Sequence, residues 1–231
     1  MGAKAKQQKF DELDTFPNVF QNRDYLKATL ENNKNEVVQM AGNWNKTYFK
    51  NDAPLVLELA CGKGEYSLGL GELYPDKNFI GFDLKGNRIW KGAKQALAEN
   101  RKNIAFVRSK IELIPNYFAE GEVDEIWILF ADPYPRKSDA NRRLTSPFFL
   151  ELYKKVLKKG GLVHFKTDAV ELFNYSCEVA ESDVTKEVLE IDRDIYANGK
   201  NTEGPLAIKT FYEKMHLEKG KKIQYLKFIL H

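Results

Sequence analysis

The 231-residue chain is long enough to bury one full hydrophobic core, and its hydrophobic content of 43% is ordinary for a globular protein. No apolar run approaches the ~18 residues that a membrane-spanning helix needs, and residues 1–9 lack the apolar core of a signal peptide. Cys61 and Cys177 are too few for a disulfide framework or a metal site. These properties predict a cytoplasmic protein without bound metal or membrane contact, and the net charge of only +3 says little about its partners. We expect a monomer or a homodimer.

The amino terminus is predicted to be an arm that precedes one folded domain. Residues 1–16 carry Lys4, Lys6 and Lys9 with little apolar content, so we expect a flexible basic arm there. A single domain is predicted over residues 17–231. Its first part, residues 18–51, has aromatic side chains without clean periodicity, and we expect irregular structure with one helix.

From Leu55 onward, short apolar runs alternate with helical patterns. This alternation is typical of a doubly wound, mostly parallel sheet with helices on both faces, and two late strands favour an antiparallel edge. The sequence therefore predicts a Rossmann-like α/β fold with a seven-stranded sheet. The predicted strands are 55–59, 78–83, 104–108, 123–130, 162–166, 184–191 and 223–230, and the predicted helices are 65–73, 87–100, 112–118, 147–157 and 169–181.

The first of these strands runs directly into a glycine-rich turn, as in nucleotide-binding sites. Gly62 and Gly64 would let the backbone approach a ligand over the strand end, and Asp83 closes the next strand, where a carboxylate can hold ribose hydroxyls. The pattern G-x-G-x-x-G is not completed, because Ser67 stands at its last position. Glu58, inside the strand, would repel a pyrophosphate and suits a cationic ligand. A plain tight turn is the alternative interpretation.

A second candidate site follows the predicted strand 123–130. Asp132 precedes Pro133 and Pro135, which stiffen the loop, and it lies where the carboxyl ends of parallel strands face a ligand crevice. We therefore expect a carboxylate held rigidly beside the cofactor. A proline-rich turn capped by an aspartate is the alternative.

Several segments carry a resemblance to known families. Residues 54–66 resemble motif I of the Rossmann-like methyltransferases, whose ligand, S-adenosylmethionine, carries an ammonium and a sulfonium. Four motifs in the same order, over about residues 54 to 228, are similar to those of the bacterial tRNA (guanine-N(7)-)-methyltransferases. The first motif is residues 54–66, and the second is DPYPRK at 132–137 with the RRLT segment at 142–145 that follows it. The third is HFKTD at 164–168 and the fourth is TFYE at 210–213.

The resemblance implies S-adenosylmethionine as cofactor and tRNA as partner, with transfer of a methyl group to N(7) of guanosine 46 in the variable loop. It implies a catalytic role for Asp132. It implies cofactor contacts at Glu58, Gly62, Gly64, Asp83 and Asp132. It implies substrate contacts at Arg136, Asp168, Thr210, Phe211, Tyr212 and Glu213.

Two positions depart from the family pattern. Tyr134 stands where the family usually has Trp, and both side chains can stack on a base. Lys110 stands where many members have an Asp near the adenine, so that contact does not transfer to this chain. His164 lies in a predicted buried strand, and we interpret it as a core histidine rather than a general base.

Two of the implied substrate segments also have purely structural interpretations. Thr210 and Glu213 have the spacing of a helix capping box, in which each side chain bonds the other's backbone amide. Asp168 has the position of an N-cap for the helix that follows it. Either residue could therefore stabilise a helix without touching substrate.

Basic residues are clustered in the arm, along the helix that carries Lys85, Arg88, Lys91 and Lys94, and between Arg136 and Lys159. Such clusters hold nucleic-acid phosphates or simply face solvent. Three other functions stay open: an amino-group methyltransferase acting on adenine or glutamine, a non-catalytic RNA-binding module, and a dehydrogenase.

Overall fold

The computed structural model describes residues 3–182 and 184–231, with side chains from Lys6 onward. These described residues form ten β-strands and six α-helices, and the chain divides into two compact units, one ending at Ala119 and one beginning at Glu120. None of the described helices is long and apolar enough to cross a membrane.

The first unit contains six strands in the order β3-β2-β1-β6-β5-β4. Strands β1, β6, β5 and β4 are parallel, and β2 and β3 are antiparallel additions at one edge. The strands are β1 (Val19–Gln21), β2 (Leu30–Glu31), β3 (Val37–Val38), β4 (Leu55–Leu59), β5 (Asn78–Asp83) and β6 (Ile104–Arg108). The helices are α1 (Ala3–Leu13), α2 (Glu65–Leu73) and α3 (Gly86–Ala98), with a π-helical turn at Trp44–Phe49 and a 3-10 turn at Ile111–Asn116.

Apolar patterning explains the central elements of this unit. All residues of β4 and β5 are buried, as expected for parallel strands covered on both faces. Helix α3 buries Ile89 and Ala93 among a core cluster that includes Phe106 of β6, while Lys91 and Lys94 stay exposed. The sequence predicted β4, β5, β6 and α2 with the bounds that the structure has.

The segment predicted as a flexible arm contains helix α1, which packs against α3. Leu13 is 1% exposed within the core cluster, and the Glu12 carboxylate accepts hydrogen bonds from the side chains of Trp90 and Lys94 at 2.9 Å each. The Arg108 guanidinium lies 4.9 Å from the centroid of the Phe10 ring. A few apolar residues thus attach the mostly polar helix α1 to α3. Composition alone did not reveal this attachment. The Lys4 side chain lies outside the described residues, and the boundary between arm and domain stays a prediction.

The second unit contains four strands in the order β7-β8-β10-β9. Strands β7 and β8 are parallel, and β10 is antiparallel to both β8 and β9, so the predicted antiparallel edge is confirmed. The strands are β7 (Val123–Leu129), β8 (Leu157–Thr167), β9 (Lys186–Asp192) and β10 (Gln224–Leu230). The helices are α4 (Pro147–Lys154), α5 (Val170–Glu181) and α6 (Phe211–Glu218), with 3-10 turns at Lys137–Arg142 and Pro205–Ala207.

The predicted Rossmann-like α/β class is confirmed, but the described residues form ten strands rather than seven. The three additional strands, β1 to β3, lie in the stretch 18–51 that was predicted to be irregular. Each is two or three residues long, too short for an alternating pattern to be visible in the sequence. Strand β8 begins at Leu157, earlier than predicted, because its pairing with β7 shifts register after Val123 and accommodates Gly160 and Gly161.

Candidate functional site

Glu58 is a buried carboxylate near the end of β4, with 4% of the residue exposed. Its Oε2 accepts a hydrogen bond from the Ser67 backbone amide at 2.8 Å and another from the Ser67 hydroxyl. Burial raises the pKa of Glu58 to about 8, although the two bonds from Ser67 act in the opposite direction. Among the described residues, the side chain of Glu58 contacts donors but no cation. Ser67, noted in the sequence only as a departure from a glycine pattern, is therefore the direct partner of this carboxylate.

The glycine loop that follows β4 needs residues without side chains. Gly62 and Gly64 have left-handed φ angles of +56° and +68°. A Cβ at Gly64 would lie 2.5 Å from the Phe106 ring. Asp83, 7% exposed at the end of β5, accepts hydrogen bonds from the backbone amides of Gly62 at 2.8 Å and Lys85 at 2.7 Å. Adjacent parallel pairing of β4 with β5 thus brings Glu58, the glycine loop and Asp83 to one sheet edge.

These residues fit S-adenosylmethionine by their chemistry. A desolvated carboxylate without a cationic partner suits an ammonium group, and Glu58 has that environment. A carboxylate has about four acceptor sites, so Asp83 retains acceptor capacity for ribose hydroxyls after its two backbone bonds. The sequence interpretation of the loop as a plain turn does not explain the buried Glu58.

Asp132 lies exposed in the loop after β7 of the second unit. Two non-glycine residues flank it in left-handed conformations, Phe130 at φ +48° and Tyr134 at φ +41°. Such conformations cost on the order of 1–3 kcal/mol each and occur where the surroundings hold them, often at functional sites. Here the Arg143 side chain holds the loop, donating from Nε and Nη2 to the Tyr134 carbonyl at 3.2 and 2.9 Å. The predicted cofactor contact of Asp132 stays a prediction.

The RRLT segment has a structural role that its charge did not reveal. Arg143 is only 8% exposed, and its guanidinium lies 4.3 Å from the centroid of the Tyr175 ring on α5. The Thr145 hydroxyl is 2.7 Å from that of Ser176, also on α5. Arg143 is therefore anchored in the protein, whereas Arg136 and Arg142 are exposed. The Arg142 guanidinium lies 3.5 Å from Asp139 Oδ1 and 4.4 Å from the centroid of the Tyr134 ring.

Asp168 follows β8 and pairs with Lys221 rather than capping a helix, and the His216 ring lies near the same carboxylate. Its Oδ2 lies 2.5 Å from Lys221 Nζ and 3.2 Å from His216 Nδ1. Desolvation lowers the pKa of His216, while the Asp168 carboxylate opposes this shift. The N-cap of α5 is Ala169, without a side-chain hydrogen bond, so the capping interpretation of Asp168 is wrong.

The segment 210–213 forms the start of α6. The Thr210 side chain accepts a hydrogen bond from the Glu213 amide at 3.3 Å, so half of the predicted capping box is present. The Glu213 carboxylate does not return to the Thr210 amide. It is fully buried and bonds Lys166 and Tyr196, while Phe211 and Tyr212 are 52% and 39% exposed.

His164 and Lys110, two other residues singled out in the sequence, both have aromatic neighbours. His164 is a core residue as predicted, with 5% exposure, stacked on Trp127 and 2.7 Å from the Tyr225 hydroxyl. Lys110 places its ammonium 4.7 Å from the centroid of the Tyr25 ring, and the adjacent Ser109 amide donates to the Asp83 carbonyl.

Comparison with solved structures reveals the same fold in distant proteins. "Structure of an Antibiotic Related Methyltransferase" has a TM-score of 0.62 at 16% identity, and the similarity covers 85% of this chain and 96% of that one. The 16S rRNA methyltransferase KamB has a TM-score of 0.63 at 14% identity, covering 84% and 96%. A family model described as "Putative methyltransferase" matches residues 52–226. Together with the acidic glycine-loop site, these similarities define a methyltransferase with a Rossmann-like fold.

Curated relatives narrow this class. A protein of Bacteroides fragilis is 44% identical over 98% of this chain and 86% of its own length. One of Christiangramia forsetii is 44% identical over 99% of both chains, and one of Porphyromonas gingivalis is 46% identical over 94% of this chain and 86% of its own. All three are named tRNA (guanine-N(7)-)-methyltransferase. The chain belongs to this family of enzymes.

Proposed function

We propose that the protein transfers a methyl group from S-adenosylmethionine to N(7) of guanosine 46 in the variable loop of tRNA. The observation that carries the proposal is the identity of 44% over 99% of both chains with a relative of that activity by name. Since tRNA is the substrate, we also propose that the enzyme works in the cytoplasm, as a monomer or a homodimer.

On the cofactor side, the proposal assigns a role to each residue of the glycine-loop site. Glu58 would bind the ammonium of the methionine part, and Asp83 would accept hydrogen bonds from the ribose hydroxyls. Gly62 and Gly64 would line the ligand with backbone. The bound cofactor supplies an activated methyl group on a sulfonium.

On the substrate side, methyl transfer to guanine N(7) needs few catalytic groups from the protein. Guanine N(7) is an acceptor with a free lone pair and carries no proton, so its attack needs no general base. What remains is alignment of the two reacting atoms and stabilisation of the positive charge that develops on the purine. The Asp132 carboxylate, in a loop held by Arg143, is proposed to supply that stabilisation.

The remaining proposed contacts hold the tRNA. Arg136 is exposed and follows Asp132 by four positions along the chain. Its guanidinium would pair with a phosphate. Asp168 and the segment 210–213 would form the guanosine side of the site. Exposed basic residues would add contacts to the tRNA backbone, which supply affinity more than base choice.

The test is methyl transfer from labelled S-adenosylmethionine to an unmodified tRNA transcript, followed by nucleoside analysis of the product. We expect 7-methylguanosine as the labelled nucleoside. The matched control is the same transcript with adenosine at position 46, which should take up no label. A labelled methyladenosine, or equal labelling of the two transcripts, would contradict the proposal.

A further inference from the structure

Lys166 lies inside β8 with no exposed surface, which is rare for lysine unless an anion accompanies it. Its ammonium is 2.8 Å from Glu213 Oε2 on α6. The same ammonium donates to the carbonyl of Ile208 at 3.3 Å, just ahead of that helix. A charged side chain of the sheet therefore fixes the segment that leads into α6.

Glu213 is equally buried, and the structure engages both of its oxygens. While Oε2 pairs with Lys166, Oε1 accepts a hydrogen bond from the Tyr196 hydroxyl at 3.0 Å. Burial, together with the adjacent carboxylate, raises the pKa of Tyr196, so this hydroxyl keeps its proton and serves as a donor. A carboxylate with 0% exposure and these partners cannot accept bonds from a base edge without leaving them.

The buried pair lies among the segments that we propose to form the guanosine side. Lys166 lies in β8, two residues ahead of Asp168, which follows the end of that strand. The Phe130 ring, two residues ahead of Asp132, has its centroid 5.9 Å from the Lys166 ammonium, and the Phe130 amide donates to the Lys166 carbonyl at 2.9 Å. Glu213 fixes the first turn of α6, from which Phe211 and Tyr212 project outward.

We propose that Lys166 and Glu213 are positioning residues, which hold the segments bearing Asp132, Asp168 and the aromatic pair of α6 in register for the guanosine. Within the segment 210–213, Phe211 and Tyr212 then contact the tRNA through their exposed rings, and Glu213 does not. The inference rests on the proposed function, because it assigns roles within the same substrate site.

A purely structural role of the Lys166–Glu213 pair predicts a different result from a positioning role. Single and double variants of the pair distinguish the two roles. Removing one member of a buried pair leaves an uncompensated charge, whereas replacing both by apolar residues of similar volume is often neutral for stability. Lys166→Met and Glu213→Leu should therefore each lower the Tm, and the double variant should recover most of the loss. If the pair also positions the site, kcat/KM for tRNA stays more than tenfold reduced in the recovered double variant.

A second pair of variants keeps the test decisive even if the double variant fails to fold. Tyr196→Phe removes only the hydroxyl that bonds Glu213, and Tyr225→Phe removes a more deeply buried hydroxyl that bonds the core residue His164. We expect Tyr196→Phe to lower kcat severalfold at saturating tRNA, with unchanged affinity for S-adenosylhomocysteine by calorimetry. Tyr225→Phe should lower the Tm at most, with kcat unchanged.

The outcomes of these experiments distinguish failure of the proposed function from failure of the positioning role of Lys166 and Glu213. If the wild-type enzyme does not methylate tRNA guanosine at N(7), the proposed function fails and takes this inference with it. If the wild type does so but the stable double variant, or Tyr196→Phe, retains the wild-type kcat, only the positioning role is overturned. An equal loss of kcat in Tyr196→Phe and Tyr225→Phe would also overturn it, since any buried hydroxyl would then matter alike.

Discussion

At the residue scale, the protonation of Glu58 links cofactor binding to pH. The ordinary pKa of a glutamate is 4.5, and burial raises that of Glu58 to about 8. Between these values the folded protein holds a proton that the unfolded chain releases. The contribution of Glu58 to the free energy of unfolding is therefore largest at low pH and is lost as the pH rises through this window.

A ligand ammonium that pairs with Glu58 requires the ionised carboxylate. Binding of S-adenosylhomocysteine at pH 7 should therefore release up to about one proton per site. Calorimetry in two buffers of different ionisation enthalpy measures this release directly. Glu58→Gln has the same shape and no titratable group, so it should bind more weakly and release no proton. Equal proton release by the two proteins would show that Glu58 does not contact the ammonium.

At the element scale, the turn between β4 and α2 depends on two glycines for different reasons. Both have left-handed φ angles, which cost an alanine about 1–2 kcal/mol. At Gly64 a Cβ would also lie 2.5 Å from the Phe106 ring, whereas at Gly62 no atom lies within 4 Å of the added Cβ. The two positions therefore form a matched pair for separating backbone strain from a steric clash.

We expect Gly64→Ala to destabilise the protein more than Gly62→Ala does. Gly62→Ala should cost about 1–2 kcal/mol through backbone strain alone, and Gly64→Ala should cost clearly more, because the loop must shift away from Phe106. Urea unfolding of both variants measures the difference. Equal destabilisation would mean that the Phe106 ring yields to the methyl group at no cost.

The sequence revealed where some strands begin and end but did not reveal other strands and helix α1. Continuous apolar runs gave β4, β5 and β6 their bounds, and every residue of β4 and β5 is buried. The short strands β1 to β3 carry no pattern of their own and form because neighbouring strands offer hydrogen-bond partners. Helix α1 is held by Leu13 and Glu12 against α3, and neither contact can be foreseen from a mostly polar segment.

At the scale of the whole molecule, binding of tRNA should depend on salt in proportion to the number of phosphates contacted. We further propose that Lys4, Lys6 and Lys9, ahead of the buried part of α1, contact tRNA phosphates. Deleting residues 1–9 removes the contact of Lys9 with the Trp90 ring, 4.3 Å from its centroid, but leaves Leu13 and Glu12 in place, so the Tm should fall only slightly. If these three lysines contact phosphates, the slope of log K against log salt should become shallower by up to about 3.

Filter-binding titrations between low and moderate salt measure this slope. Deleting residues 1–13 is the control, because it also removes Leu13 from the core cluster and should lower the Tm. An unchanged salt slope after deletion of residues 1–9 would mean that this segment does not contact the tRNA.

Features that depend on neighbours along the chain could be predicted from the sequence. The β-α alternation, the glycine loop, the acidic ends of β4 and β5 and the Thr210 cap are all local patterns, and each has the expected location in the structure. The pairing of side chains from different elements became visible only in the folded chain. Ser67 bonds Glu58, Arg143 holds the Asp132 loop, and Asp168 pairs with Lys221.

The difference between local patterns and long-range pairing also changes the interpretation of Glu213. The spacing between Thr210 and Glu213 predicted a capping box, and the family resemblance implied a substrate contact for Glu213. Both predictions depend only on local sequence. The observed partner, Lys166, lies 47 positions away along the chain, and no periodicity encodes that distance. Burial of both side chains makes the pairing obligatory, since an isolated charge in the core would be far more costly than the pair.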